Sequence, residues 1–222
     1  ASPGGSGDTC SWDAPCTLQT AVNKALAGDH IYAASGTYQA ASPSDPQVLY
    51  IKGEIWLSGG CSWTSAFNVI CSPETTPSIL DGQNLRRVIT IEGTDSDVSL
   101  YGLTIRNGNA NGINTSLCPI KGGGSALGCG GGIFASAIQS LTLGDITFED
   151  NVASSDVTGT GTAMGGALYA FDLQELYIYD SRFTNNAAGL TGIGMGGAIH
   201  IECDSVLTTG GISDSLFTAN DV

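Results

Sequence analysis

The sequence predicts an all-β solenoid fronted by one short helix. Short runs rich in Val, Ile, Leu and Tyr alternate with turn residues along most of the chain. Only one stretch has helical periodicity. Two tetrapeptide motifs recur, interleaved, at a near-constant period in the second half.

The helix rests on Leu18, Ala21, Val22, Ala25 and Leu26, whose spacing makes a single apolar stripe. Thr17 can cap its start and Gly28 stands where a helix-ending glycine belongs, so a cap helix is expected over 17–27. Residues 1–16 are rich in Gly, Ser and Pro and read as an extended tail, with 17–222 as one domain. β-Type runs follow at His30–Ala34, 48–51, 55–58, 88–92 and 98–105, bounded by Gly, Asp, Asn and Ser. No helical pattern long enough for a βαβ crossover intervenes, which leaves a sandwich or a solenoid.

The repeats separate these two. Phe148-Glu149-Asp150-Asn151 recurs as Phe183-Thr184-Asn185-Asn186 and Phe217-Thr218-Ala219-Asn220, 35 and 34 residues further on. Leu143, Ile178 and Ile212 keep one offset from the Phe, and Asp145, Asp180 and Asp214 another. Gly130-Gly131-Gly132-Ile133, Gly165-Gly166-Ala167-Leu168 and Gly196-Gly197-Ala198-Ile199 interleave with them. LYGLTIRNG at 100–108 reads as a degenerate earlier copy, so clear repeats span about 98–222. A sandwich need not keep one offset three times; stacked coils must. Phe148, Phe183 and Phe217 are expected to stack in the core. Asn151, Asn186 and Asn220 should form a side-chain ladder at a turn, where Asn tolerates left-handed geometry. The paired glycines would bend the backbone where a Cβ would clash. The Gly/Thr/Ser stretches 154–164 and 189–195 read as loops on one side, and 107–130 as a longer insertion.

Composition restricts partners and compartment. Against 21 Asp plus Glu stand 7 Lys plus Arg, a net charge of −14, which argues against nucleic acid and anionic membranes. It leaves cationic surfaces and Ca²⁺ open, with solubility as the plain explanation. Hydrophobic residues at 41% can build a core, so disorder is not expected. Six of seven cysteines form sequence-local couples, Cys10/Cys16, Cys61/Cys71 and Cys118/Cys129, which suits disulfides and an oxidising compartment. Zinc is the weaker reading, with no CxxC and only His30 and His200 to join a site. Cys203 is left over, as a buried small hydrophobe or an intermolecular link. No apolar run approaches the roughly 20 residues that span a bilayer. The opening Ala1-Ser2-Pro3-Gly4-Gly5-Ser6-Gly7 reads as a mature end with its signal peptide removed. Asn114-Thr115-Ser116 is a nominal glycosylation sequon.

The tetrapeptides, here GGGI, GGAL, GGAI, FEDN, FTNN and FTAN, resemble the GGA[ILV] and FxxN repeats of polymorphic outer-membrane proteins and related bacterial surface β-helix proteins. CTLQTAVNKALAGDHIYAASGTY (16–38) resembles that group's capping helix and first strand. WLSGGCS (56–62), SILDG (78–82) and LYGLTIRNG resemble its early coils. The resemblance covers nearly everything after residue 15. It implies a right-handed parallel β-helix, exported and surface-associated, in a group whose members act as adhesins or passenger domains or have no assigned role. Such proteins run on to more coils and a C-terminal anchor or barrel, whereas this sequence stops at Val222, just after an FxxN motif. The expectation is a fragment, or an open end covered by something else.

The same fold class contains pectate lyases and other polysaccharide-cleaving enzymes. A lyase needs acidic residues holding Ca²⁺ and a basic residue to abstract a proton. The basic side chains are Lys24, Lys52, Arg86, Arg87, Arg106, Lys121 and Arg182, of which Arg106 alone lies in a repeat-like strand near acids. A hydrolase needs two positioned carboxylates. Asp145, Glu149 and Asp150 are the densest acidic group in a repeat, but the counterparts at Asp180 and Asp214 make Asp145 a turn residue first. No catalytic residue and no metal ligand is assigned; Ca²⁺ on the aspartate ladder is the one cofactor carried. His30 and His200 sit in no GxSxG context and read as structural.

Three functional readings follow. The leading one is a secreted structural or adhesive surface protein, not an enzyme. It would self-assemble end to end into a filament through its open C-terminal coil and strand addition by the N-terminal tail. Its partners would be further copies or other surface proteins. The second is a polysaccharide-active enzyme depending on Arg106 and Asp150. The third is a carbohydrate-binding module using Trp12, Trp56 and Trp63, with core packing as the simpler role for Trp56.

Overall fold

The computed structural model describes residues 1–65, 68–93, 96–113, 118, 126–156, 160–190, 193–203 and 207–222. Parallel strands stack into three main sheets. The first runs His30–Ala34, Ile55–Ser65, Asp97–Tyr101, Ser140–Gly144, Glu175–Tyr179 and Thr209–Ser213. Asn68–Cys71 folds back antiparallel on Ile55–Ser65 as a hairpin. The second runs Gly36–Tyr38, Ser78–Asp81, Leu103–Arg106, Thr147–Glu149, Arg182–Thr184 and Leu216–Thr218. The third runs Gln47–Ile51, Arg87–Glu92, Ile133–Ser136, Leu168–Phe171 and Ile199–Glu202. Along the chain a strand of the first sheet is followed by one of the second and, in all circuits but the last, by one of the third, so each circuit lies on the one before it. The arrangement is that of a solenoid.

Register follows the repeat. Leu143 lies opposite Leu100 and Ile178, and Phe148 opposite Ile105 and Phe183, which in turn faces Phe217. LYGLTIRNG is thus the earlier copy, with Ile105 at the Phe position. Single left-handed residues turn each coil at matching offsets. Gly102, Asp145, Asp180 and Asp214 lie between the first and second sheets, with φ of 60, 53, 50 and 46°. The run expected at 98–105 is split by the first of these turns. The aspartates are turn residues, as their repetition implied.

The asparagine ladder is present, but for a different reason. The left-handed residues are the preceding ones, Asp150, Asn185 and Ala219, with φ of 56, 54 and 52°. Asn151 and Asn186 are fully buried and reach across coils instead. Asn151 donates from its backbone N–H and from Nδ2 to Asn186 Oδ1 at 3.2 and 2.9 Å. Asn186 does the same to Asn220 Oδ1 at 3.0 and 2.9 Å. The glycine pairs divide their work. Gly130, Gly165 and Gly196 take φ near 60°, while a Cβ on Gly166 would fall 2.2 Å from the Gly197 carbonyl oxygen.

The stretches read as loops also carry strands. Ala126–Cys129, Thr162–Met164 and Ile193–Met195 form one small sheet, and Val152–Ser154 pairs with Ala187–Gly189. Phe134, Tyr169, Met164, Cys118 and Cys129 form a second small core outside the third sheet. The three central strands of that sheet are buried on both faces, whereas the first sheet alternates.

The cap helix spans Leu18–Lys24, shorter than expected. Thr17 Oγ1 accepts from the Thr20 N–H at 3.1 Å. Leu18, Ala21 and Val22 are buried against the first coil. Ala25 leaves helical geometry, and Leu26, counted in the apolar stripe, is 74% exposed. Asp29 accepts from the Leu26 N–H at 2.8 Å and draws the chain into a turn.

Residues 1–16 contain no helix or strand, but they are held down rather than free. The Ala1 amine donates to the Tyr32 carbonyl at 2.7 Å, and the Ala34 N–H donates back to Ala1 at 2.9 Å. The Ser2 N–H donates to the Cys16 carbonyl. The segment thereby covers an edge of the first strand, which a free tail would leave open.

Candidate functional site

Trp12 and Trp63 come together at the N-terminal end, and Trp56 lies beside His30 next to them. A cleft of about 310 Å³ between the cap helix and the first coil is lined by Trp12, Trp63, His30, Tyr32, Lys24 and Asp29, among others. Trp12 sits in the loop closed by the Cys10–Cys16 disulfide. Trp63 follows Cys61, whose disulfide to Cys71 ties the hairpin. His30 and Tyr32 alternate with the buried Ile31 and Ala33, so they face outward. The Lys24 ammonium donates to the Asp8 carbonyl.

From the cleft an aromatic row leads along the first sheet. The His30 ring stacks 4.2 Å from Tyr32 and lies 5.0 Å from Trp56. Trp56 lies 5.3 Å from Tyr101, which lies 6.2 Å from Tyr179. Gly144 lies between those tyrosines in register, and a Cβ there would come within 2.7 Å of both rings. Trp56 is 49% exposed, not a core residue: alternation sends Ile55 and Leu57 inward and turns the indole out. His30 Nε2 lies 2.9 Å from Ser58 Oγ, and burial lowers the imidazole below its ordinary value. Burial, then hydrogen bonding and charge from Tyr101, with Asp180 adding, push the Tyr179 phenol up to about 12.

Of the catalytic candidates, Arg106 and Glu149 are joined in an ion pair that also takes in Asp81. Asp81, Arg106 and Glu149 are register partners on the second sheet. Arg106 Nε lies 3.1 Å from Asp81 Oδ2 and Nη1 lies 3.7 Å from Glu149 Oε1. Burial raises the Asp81 carboxyl, but Asn107, the Gln83 N–H and Arg106 outweigh it and hold the group below its ordinary value. Burial, with Glu74 and Asp180, raises the Asp145 carboxyl. Asp150 is a left-handed turn residue. No group of three or more His, Cys, Asp or Glu residues is poised for a metal ion among the described residues.

Arg87 is fully buried and donates to the Gly130 and Cys129 carbonyls at 3.0 and 2.8 Å. Its guanidinium lies 4.8 Å from the Phe134 ring, and burial lowers it to about 10. It begins a column that runs through Phe134 and Tyr169 to His200, with ring separations of 5.7 and 5.6 Å.

All three expected cysteine couples are disulfides. Cys203 is half-buried and outside them. Lys121 and the Asn114-Thr115-Ser116 sequon lie outside the described residues. Sequence reasoning missed Asp29, Tyr32, Tyr101 and Tyr179 as surface-site residues. The last two carried a signal, since each directly precedes a left-handed turn residue. Nothing comparable links Trp12, His30 and Trp63, which lie before the clear repeats.

No protein family, curated protein or solved structure matches the chain. Among the described residues, no helix is long and apolar enough to cross a membrane.

Proposed function

We propose that the chain is a secreted adhesive surface module built on a right-handed parallel β-helix, with no turnover of its own. The coil-to-coil ladder carries the reading. Phe148, Phe183 and Phe217 stack at 4.7 and 4.5 Å, and Asn151, Asn186 and Asn220 hydrogen-bond in series beside them. Such stacking makes a stiff scaffold that displays outward side chains at strand spacing, about 4.8 Å. The right hand rests on the near-universal handedness of crossovers between parallel strands, about 98%. Three disulfides support an oxidising, extracellular setting. The resemblance to polymorphic outer-membrane repeats supports the same assignment. Arg106, held between Asp81 and Glu149, supports a structural use of these charges over lyase chemistry.

The second reading is end-to-end self-association, whose contact would fall on the strands Thr209–Ser213 and Leu216–Thr218. Ile212, Leu216 and Phe217 are half exposed there. Asn220 stands where Asn151 and Asn186 each donate to the next asparagine. A further coil, from following chain or from a second copy, would cover both features. Donation of residues 1–16 is the weaker route, because Ala1 is bound to its own first strand.

The test is electron microscopy with native mass under non-reducing conditions, with and without residues 1–15. Regular fibres support a structural subunit; dispersed monomers at high concentration overturn self-association and leave the adhesive module. Release of fragments from a polysaccharide, abolished by Arg106→Ala or Asp150→Ala, overturns the non-enzymatic reading.

A further inference from the structure

We infer that the cleft between Trp12 and Trp63 binds a neutral glycan. The inference deepens the adhesive reading by naming its ligand class and does not depend on self-association. Glycan rings present flat C–H faces edged by hydroxyls, and their partners are exposed aromatic faces edged by hydrogen-bonding groups. The cleft supplies both. Trp12, 53% exposed, and Trp63 are its aromatic walls. Asp29 supplies a carboxylate, Lys24 an ammonium and His30 an imidazole at the rim. At about 310 Å³ it is at the small end of small-molecule sites, about 300–1,000 Å³.

Two further observations set this cleft apart from chance exposure of indoles. Each tryptophan is braced by its own disulfide, Cys10–Cys16 for Trp12 and Cys61–Cys71 for Trp63. Rigid aromatic walls lose little conformational freedom on binding, so bracing at this spot favours affinity. The cleft also opens onto the row His30, Trp56 and Tyr101, spaced 5.0 and 5.3 Å, a track on which a longer chain can continue. The net charge of −14 selects among glycans, repelling uronate-rich polyanions and leaving neutral chains.

The intact, oxidised chain is titrated with neutral hexasaccharides of glucose, xylose, mannose and N-acetylglucosamine, and with polygalacturonate as the polyanionic probe. Calorimetry and tryptophan emission are the readouts. At least one neutral hexasaccharide should bind and shift the emission. Trp12→Ala should weaken it about tenfold, equivalent to about 1.4 kcal/mol. Trp12→Phe should recover part of the loss, and Trp56→Ala should cost less than Trp12→Ala. Because Trp12 is half exposed, its variant should keep the parent's melting midpoint.

The inference is overturned if none of the four binds at millimolar concentration. It is equally overturned if binding survives both Trp12→Ala and Trp63→Ala, or if polygalacturonate binds in their place. Saturable attachment to intact cell surfaces with no hexasaccharide binding would sink this site and spare the adhesive module. Binding accompanied by fragment release would spare the site and sink the non-enzymatic reading.

Discussion

Replacing Asn186 by Ala tests whether the buried ladder holds the coils together. The side chain makes four contacts. Its Oδ1 accepts from Asn151 N and Nδ2 at 3.2 and 2.9 Å. Its Nδ2 donates to the Phe148 carbonyl at 3.1 Å and to Asn220 Oδ1 at 2.9 Å. An alanine orphans the N–H of the fully buried Asn151, while the Phe148 carbonyl keeps its ladder partner on the Arg182–Thr184 strand. The unsatisfied group costs about 1–3 kcal/mol and the lost side-chain hydrogen bonds about 1 kcal/mol more, so the substitution should cost roughly 2–4 kcal/mol. Asn220→Ala is the control. Its side chain makes the corresponding contacts to Asn186 and Phe183, but it is half-buried, so water can replace part of them. About 1 kcal/mol is expected there.

Urea unfolding followed by far-UV dichroism and tryptophan emission reads both variants. With a slope of about 2–3 kcal/mol/M, Asn186→Ala should lower the midpoint by roughly 1–2 M. The two probes see different regions, because all three tryptophans lie within the first 63 residues and Asn186 lies three coils beyond Trp63. A dichroism loss that precedes the emission change would locate the damage in the late coils, as nearest-neighbour stacking requires. A cost below about 1 kcal/mol, or an equal cost for Asn220→Ala, would refute the reasoning.

Phe183→Ala should cost about 3–5 kcal/mol, since the ring lies between Phe148 and Phe217, whereas Phe217→Ala should cost clearly less because that ring is 42% exposed; urea midpoints decide. Gly166→Ala should prevent correct folding, with its Cβ 2.2 Å from the Gly197 carbonyl oxygen, while Gly112→Ala meets only its φ of 67° and should cost about 1–2 kcal/mol; soluble yield and melting separate them. Asp145→Asn should raise the melting temperature at neutral pH, by less than about 2 °C for so exposed a group. The folded carboxyl is raised, so ionisation costs stability above its unfolded value, about 3.9, and the gain should fade as pH falls below about 4. A gain that grows on acidification would contradict the assignment.

The period was legible because stacked coils repeat their buried residues, and Phe148, Phe183 and Phe217 are register partners as the spacing implied. The reason for the asparagine was not. A tetrapeptide ending in Asn suggests a left-handed turn, yet the turn belongs to the preceding position, which tolerates Asp150, Asn185 or Ala219 alike. The position that holds Asn in all three tetrapeptides is the one whose amide must reach the neighbouring coil. The helix end was misread for a related reason: Leu26 fits the stripe, but Asp29 captures its N–H. Thr162–Met164 and Ile193–Met195 read as loops because their order comes from ladder pairing and close backbone approach, not from an apolar pattern. A Cβ on Gly128, in the strand that adjoins Thr162–Met164, would fall 1.9 Å from the Ala153 carbonyl oxygen.

The candidate site was illegible for the complementary reason. Periodicity reports what each coil shares, and a binding surface is made of what it does not. Lys24, Trp12, His30 and Trp63 come from the cap, the docked N-terminal segment, the first strand and a hairpin that occurs once among the described residues, so no offset relates them. The same logic explains Gly144. At the register position of Tyr101 and Tyr179 a third tyrosine would extend the column, but even a Cβ would strike both neighbouring rings, and it is the glycine that lets them approach across the gap. In a solenoid the scaffold is read from the repeat, and sites are sought where single residues depart from it.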